Sequence, residues 1–299
     1  MPSDRRTPEV SERMPYFQAT DGTILHYRDH GDGPPIVLLA SQGLSSSMWQ
    51  HLIVRLADRG FRCVALDRRG HGRSDDPGKG YDFDTFADDI SQLLTQLNLR
   101  EVTLVGHSVG GAEAARCITR HGTDRVTRLV LASATLPFLA RTDDNPDGVP
   151  LAMMQSVWQS WHSDWPRWVA ENTPPFIGAG LPGCEVSPEM VGMGTNDMLQ
   201  TSLPALLQCS RAAFSTDFRA ELRQIGIPAL LIHGDTDASA PVEITSAKTA
   251  VLIPNAQLKI YQNAPHGLVA THLSQVEADI AGFASSHVEE HNAAVRLPG

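Results

Sequence analysis

A chain of 299 residues, 41% hydrophobic and 19% charged, has material for one large α/β domain with a sizeable core. Its net charge of −10, from 24 basic and 34 acidic side chains, opposes binding to nucleic acid or to an anionic membrane. No apolar run approaches the roughly 20 residues that cross a bilayer, the polar start 1–13 has no apolar signal core, and the four scattered cysteines, Cys63, Cys117, Cys184 and Cys209, lack metal-ligand spacing, so a reduced cytoplasmic protein without a metal is expected.

Residues 1–14 are expected as a loose arm. Segments 16–20 and 24–28 flank Asp21-Gly22 and read as a hairpin of antiparallel strands. After the turn cluster 31–35, residues 36–40 are continuously apolar, as in a strand covered on both faces. Ser41-Gln42-Gly43-Leu44 is a loop, and Ser45 or Ser46 caps a helix carrying Trp49, Leu52, Ile53 and Leu56. Strand 61–66 runs into the Gly-rich loop 67–75, whose Arg69 and His71 read as loop structure rather than ligand contacts. A helix over about 85–97 carries Phe86, Ile90, Leu93, Leu94 and Leu97 at helical spacing. Strands follow over 101–107 and 128–133, with a helix over 111–120 between them. This alternation implies right-handed crossovers and a mostly parallel sheet.

Between about 135 and 214 the alternation stops, and a Trp- and Met-rich helical insertion is expected. Trp158, Trp161, Trp165 and Trp168 would share one face of a single helix, but Pro166 opposes that. Two helices are expected instead, the second capped by Ser163 or Asp164 with Pro166 in its first turn. The strand pattern returns over 229–233. A helix around 242–252, a strand over 257–261 and a closing helix around 274–284 follow, with 289–299 as a disordered tail. The expected division is a core of 15–134 and 215–287, a helical cap of 135–214, and flexible tails of 1–14 and 288–299.

Chemistry concentrates at Val105-Gly106-His107-Ser108-Val109-Gly110-Gly111, a G-x-S-x-G turn between a strand and a helix. Small residues suit such a strained turn, which lifts the serine hydroxyl above the sheet and turns the next N–H toward a substrate oxyanion. Ser108 is therefore the candidate nucleophile. A serine needs a base, and the base needs an acid to fix its tautomer. In a sheet of this kind they follow in the order serine, acid, histidine, each after a strand. His266 stands after the last strand and is the candidate base. The acid comes from His233-Gly234-Asp235-Thr236-Asp237, where Asp235 and Asp237 face opposite ways. Asp237 is favoured, with Asp235 as a turn residue bonding its own backbone.

These motifs resemble an α/β-hydrolase of the cofactor-free haloperoxidase/esterase group. Asp67-x-Arg69-Gly70-His71-Gly72-x-Ser74, Gly106-His107-Ser108-Val109-Gly110-Gly111, Thr216-Asp217-Phe218-Arg219, His233-Gly234-x-x-Asp237-x-x-x-Pro241 and Ala264-Pro265-His266-Gly267-Leu268 fit in order. The resemblance implies an α/β fold with an eight-stranded, mostly parallel sheet flanked by helices, and a helical cap. It also implies Ser108 as nucleophile, Asp237 as acid and His266 as base, with no haem, metal or other cofactor. The implied reaction is hydrolysis of small carboxylic esters through an acyl-enzyme, with peracid formation when peroxide replaces water. Lactone and C–C bond hydrolysis use the same triad, and a silent binding module is the alternative of another class. Val109 and Gln42 are the expected oxyanion donors. Ala40-Ser41 stands where the group usually has His-Gly, so Ser41 either adds a hydroxyl near the site or is a loop residue. The four insertion tryptophans, with Met153, Met154, Met190, Met193 and Met198, are expected to pack onto the sheet edge above Ser108 and roof an apolar pocket for compact acyl groups.

Overall fold

The structure, a computed structural model, describes residues 15–295, with side chains to residue 285. The expected arm 1–14 and tail residues 296–299 lie outside the described residues. In chain order the elements are β1 (Tyr16–Gln18), β2 (Ile24–His30), β3 (Pro35–Leu39), a 3-10 turn (Ser46–Trp49), α1 (Gln50–Asp58), β4 (Arg62–Leu66), α2 (Phe83–Gln96), β5 (Val102–His107), α3 (Val109–His121) and β6 (Val126–Ala132). After these come α4 (Leu151–Ile177), α5 (Pro188–Leu199), α6 (Leu203–Ser215), α7 (Arg219–Leu222), β7 (Ala229–Gly234), α8 (Ser246–Leu252), β8 (Ala256–Tyr261), α9 (Leu268–Thr271) and α10 (Leu273–Val295).

The eight strands form one sheet in the order β1-β2-β4-β3-β5-β6-β7-β8. β1 and β2 pair antiparallel, β2 is antiparallel to β4, and every later pairing is parallel. The apolar runs read as strands because both faces are covered. Val37, Leu39, Leu104, Leu129 and Leu231 pack with α2 and α3 residues on one face. Ile36, Leu38, Val105, Val130 and Ile232 pack with α1 and α10 residues on the other. β5 lies between β3 and β6, its Gly106 opposite Leu39 and its His107 opposite Ala132, so the serine turn leaves the sheet at its centre.

The insertion between β6 and β7 is helical. α4 is interrupted at Asp164 (φ −157°, ψ 78°), where the carboxylate accepts from the Arg167 N–H at 3.0 Å. Two helical halves result, the second with Pro166 in its first turn, where a proline lacks no needed donor. Trp161, Trp165, Val169, Met198, Leu206 and Leu207 form a separate core with Leu44 of the β3 loop.

Some boundaries and faces differ from expectation. α8 starts at Ser246 rather than near 242, because 242–245 form a turn in which Thr245 (φ −119°, ψ −97°) is not helical. α10 continues to Val295, past the helix end expected near 284 and into the segment expected as a disordered tail. Met153 is 62% exposed, so it faces solvent instead of joining a roof. Among the described residues, no helix is long and apolar enough to cross a membrane.

Candidate active site

The serine turn is shaped by close backbone approach. A Cβ on Gly106 would stand 2.2 Å from the Gly110 carbonyl oxygen and 2.5 Å from the Gly111 nitrogen, so only glycine fits. Ser108 adopts φ 56°, ψ −121°, a conformation that non-glycine residues hold only where their surroundings enforce it. Its N–H donates to the Ala132 carbonyl at 3.0 Å, and its own carbonyl accepts from the Gly111 and Thr135 N–H groups. Val109 is the first residue of α3, and an N–H in the first turn of a helix has no partner within that helix.

The loops that carry the candidate acid and base are brought together by a second close approach. A Cβ on Gly234 would lie 2.0 Å from the Ala264 carbonyl oxygen, which explains glycine at the end of β7. The Thr236 N–H and hydroxyl both donate to that same carbonyl, at 3.2 and 2.8 Å. With the loops so joined, His266 Nδ1 lies 2.7 Å from Asp237 Oδ2. The other oxygen, Oδ1, accepts from the Ser239 and Ala240 N–H groups at 2.9 and 2.8 Å. Asp235 is exposed. The turn bonds expected of Asp235 are made by Asp237 instead.

Asp237 also faces a second histidine that its motif position did not single out as functional. His233 Nε2 lies 2.7 Å from the Ala240 carbonyl and 3.1 Å from Asp237 Oδ2. A carbonyl only accepts, so Nε2 carries the hydrogen, and Nδ1 accepts from the Ser246 hydroxyl at 2.7 Å. Burial alone would raise the Asp237 carboxyl. The charge of His266 and the hydrogen bonds from His233 and His266 outweigh it and hold the group well below the usual carboxylate range.

His107 ties the serine turn to the His266 loop. Its Nε2–H donates to the His266 carbonyl at 2.8 Å, and the two rings meet edge-on with centroids 5.0 Å apart. Burial, followed by the charge of His266, pushes His107 down to about 3, so the ring is neutral. Phe176 of α4 closes over both histidines, with centroids 6.3 Å from His107 and 5.1 Å from His266. The Gly267 N–H donates to the Phe176 carbonyl at 2.7 Å, which fastens α4 to the base loop.

A cavity of about 230 Å³ beside His266 is lined by Trp168, Asn172, Pro175, Phe176, Met198 and Ser239, among others. A smaller one of about 60 Å³ lies between α4, α5 and α9, against Leu44, Met48, Phe176, Ile177, Met190 and Met193. Neither lining includes Ser41 or Ser108, which are 2% and 4% exposed. Of the four tryptophans, Trp168 reaches the cavity beside His266. Trp161 and Trp165 are buried in the insertion's own core, and Trp158 packs on Phe214 with its indole N–H on the Ser210 hydroxyl at 2.9 Å.

The remaining motif residues are structural. Arg69 is buried and binds Asp89 in two-pronged fashion, at 2.8 and 2.7 Å, and Asp21 at 2.9 Å. His71 Nδ1 contacts the Arg69 carbonyl at 3.1 Å, and burial pushes this ring down to about 3. Arg219 pairs with Asp217 and Asp144, holding the α7 region to the insertion's first loop. The four cysteines are free thiols, three of them buried.

The family model for the alpha/beta hydrolase fold matches residues 34–181. A non-heme chloroperoxidase of Kitasatospora aureofaciens is 40% identical over 261 residues, covering 85% of this chain and 93% of that protein. A bifunctional esterase/perhydrolase of Acinetobacter calcoaceticus is 33% identical, covering 91% of this chain and all of that one (100%). The crystal structure of a bromoperoxidase from Bacillus anthracis superposes with a TM-score of 0.86 at 36% identity, over 91% of this chain and 100% of that one.

Proposed function

The chain belongs to the α/β-hydrolase fold family, in the group of the non-heme haloperoxidases, and from that premise we propose that it is a serine hydrolase of small carboxylic esters. The observation that carries the reading is the joined acid and base loops: His266 Nδ1 bonded to a buried, ionised Asp237 at 2.7 Å, with His107 linking that base to the serine turn. In this reading Asp237 keeps the His266 proton on Nδ1 and leaves Nε2 free to accept one. As Ser108 Oγ attacks the ester carbonyl carbon, its proton passes to His266. The Val109 and Gln42 N–H groups receive the developing oxyanion, at about 3 kcal/mol or more per donor. Collapse breaks the C–O bond, the alcohol leaves with the proton from His266, and an acyl-Ser108 ester remains. Water, deprotonated by His266, then releases the acid.

Hydrogen peroxide in place of water would release a peracid by the same route, and the esterase/perhydrolase relative favours this as a second activity. Phe176, Met198 and Trp168 crowd the space beside His266, which supports short acyl groups as substrates. Turnover across p-nitrophenyl esters from acetate to palmitate tests both points. Highest kcat/KM at two to four acyl carbons, abolished in Ser108→Ala, is expected. A steady rise to long chains would refute the crowded pocket, and activity retained in Ser108→Ala would refute the serine mechanism.

A further inference from the structure

One buried cation lies directly beneath the loop that carries Gln42. Arg68 follows Asp67 at the end of β4, is 5% exposed, and forms an ion pair through Nε with Glu113 of α3, itself 3% exposed. A buried arginine–glutamate pair offsets its desolvation only where the remaining guanidinium donors also find acceptors. Here the rest of the guanidinium is aimed elsewhere: Nη2 donates to the Ala40 carbonyl at 2.8 Å and Nη1 to the Ser41 carbonyl at 3.3 Å. These are the two carbonyls immediately before Gln42.

A peptide unit is planar and trans, so its C=O and its N–H point in opposite directions. The Ser41 carbonyl and the Gln42 N–H belong to one such unit. The Ser41 oxygen accepts from Arg68 Nη1 and from the Leu44 N–H, each at 3.3 Å, and these two donors together fix the Gln42 N–H in the reverse direction. The flanking polar groups are engaged as well. The Ser41 N–H meets Met48 Sδ at 3.3 Å, the Gly43 carbonyl accepts from the Thr201 hydroxyl at 3.0 Å, and the Ser45 and Ser46 N–H groups donate to Asp197 and Asp67 at 2.9 and 2.6 Å. The preceding peptide is thus pinned at both its C=O and its N–H, and the Gly43 carbonyl anchors the chain one peptide beyond, which limits rotation of the Gln42 unit.

We infer that Arg68, locked by Glu113, is the positioning residue of the oxyanion loop. It orients the Gln42 N–H through the Ser41 carbonyl, and so lets Ala40-Ser41 hold the loop in shape. This rests on the serine-hydrolase reading and extends it to a residue that touches no substrate. A planar guanidinium suits the task, because one group must meet a carboxylate and two carbonyls at fixed angles, which a lysine ammonium cannot do.

The test compares Arg68→Met, Arg68→Lys and Glu113→Gln with Arg69→Met. The last breaks an equally buried arginine–carboxylate pair whose bonds go to Asp89 and Asp21 and not to this loop. Two quantities are read: kcat and KM on p-nitrophenyl acetate, and the inhibition constant of a methyl trifluoromethyl ketone, whose serine adduct carries an oxyanion. Loss of one oriented oxyanion donor predicts about 100-fold lower kcat in Arg68→Met, with KM within threefold and ketone affinity falling in step. Arg68→Lys should lose at least tenfold in ketone affinity, and carries the test alone if Arg68→Met does not fold. Glu113→Gln, which keeps an acceptor for Nε, should fall between Arg68→Lys and wild type. Arg69→Met should lower thermal stability while leaving ketone affinity within threefold of wild type. Ketone affinity unchanged in the folded Arg68 variants, or lost equally in Arg69→Met, overturns the inference. A wild-type protein that binds no ketone overturns the hydrolase reading itself.

Discussion

Replacing Asp237 by asparagine should silence the protein, because the structure dictates which way the new amide must face. Oδ1 accepts from two backbone N–H groups, Ser239 at 2.9 Å and Ala240 at 2.8 Å, so the amide oxygen must stay there. The NH2 then occupies the Oδ2 position, facing His266 Nδ1 at 2.7 Å and His233 Nε2 at 3.1 Å. His233 cannot change tautomer, since its Nε2–H is committed to the Ala240 carbonyl. His266 can, but only by moving its proton to Nε2, where it can no longer accept one from Ser108. A tautomer reversal of this kind costs about 10⁴ in kcat in the serine-protease triad, or about 5.5 kcal/mol of barrier. Asp235→Asn alters an exposed side chain and should stay within threefold of wild type. Steady-state kinetics on p-nitrophenyl acetate decides, with circular dichroism to verify folding. Asp237→Asn within tenfold of wild type, together with a collapse in Asp235→Asn, would refute the assignment of the acid.

Two further perturbations probe the scaffold. His71 is pushed down to about 3 by burial, so between pH 6.5 and 3 the unfolded chain binds a proton that the folded chain refuses, and stability falls as pH falls. From pH 7 to 5 this one ring should cost about 2 kcal/mol by that linkage; urea unfolding of wild type and His71→Gln should show a drop smaller by about that amount in the variant, and equal drops would count against it. Gly106→Ala would press a Cβ to 2.2 Å from the Gly110 carbonyl, so the variant should lose about 3 kcal/mol or more, or fail to fold. A soluble Gly106→Ala protein with wild-type melting temperature would contradict the turn geometry.

The strands were legible because parallel strands buried on both faces leave unbroken apolar runs such as 36–40 and 229–233. A cap at Ser163 or Asp164 was legible through Pro166, which needs a helix start just before it, and the break falls at Asp164. The face of a residue was not: Met153 and Met198 are equally apolar in sequence, yet one is 62% and the other 6% exposed. His266 was placed by strand order, which left Asp235 and Asp237 both open until the His-Gly-x-x-Asp spacing favoured Asp237. Three supporting residues escaped that logic. His233 hid in a strand ending, its donor committed to Ala240 and Asp237 only once the loop folds back. Arg68 and Glu113 lie 45 residues apart, and no local pattern marks two charges that are buried together. The indole N–H groups of Trp161 and Trp165 are buried without a hydrogen-bond partner among the described residues, and their burial shows that the insertion has a core of its own.

The proposed mechanism makes Ser108 a nucleophile activated by His266. The most direct measurement is reaction with a fluorophosphonate probe, followed by mass spectrometry of the modified peptide alongside residual esterase activity. One equivalent of label on Ser108 is predicted, with activity lost in proportion to labelling and no label in Ser108→Ala. Full ester turnover with no label, or with the label on another residue, would contradict it.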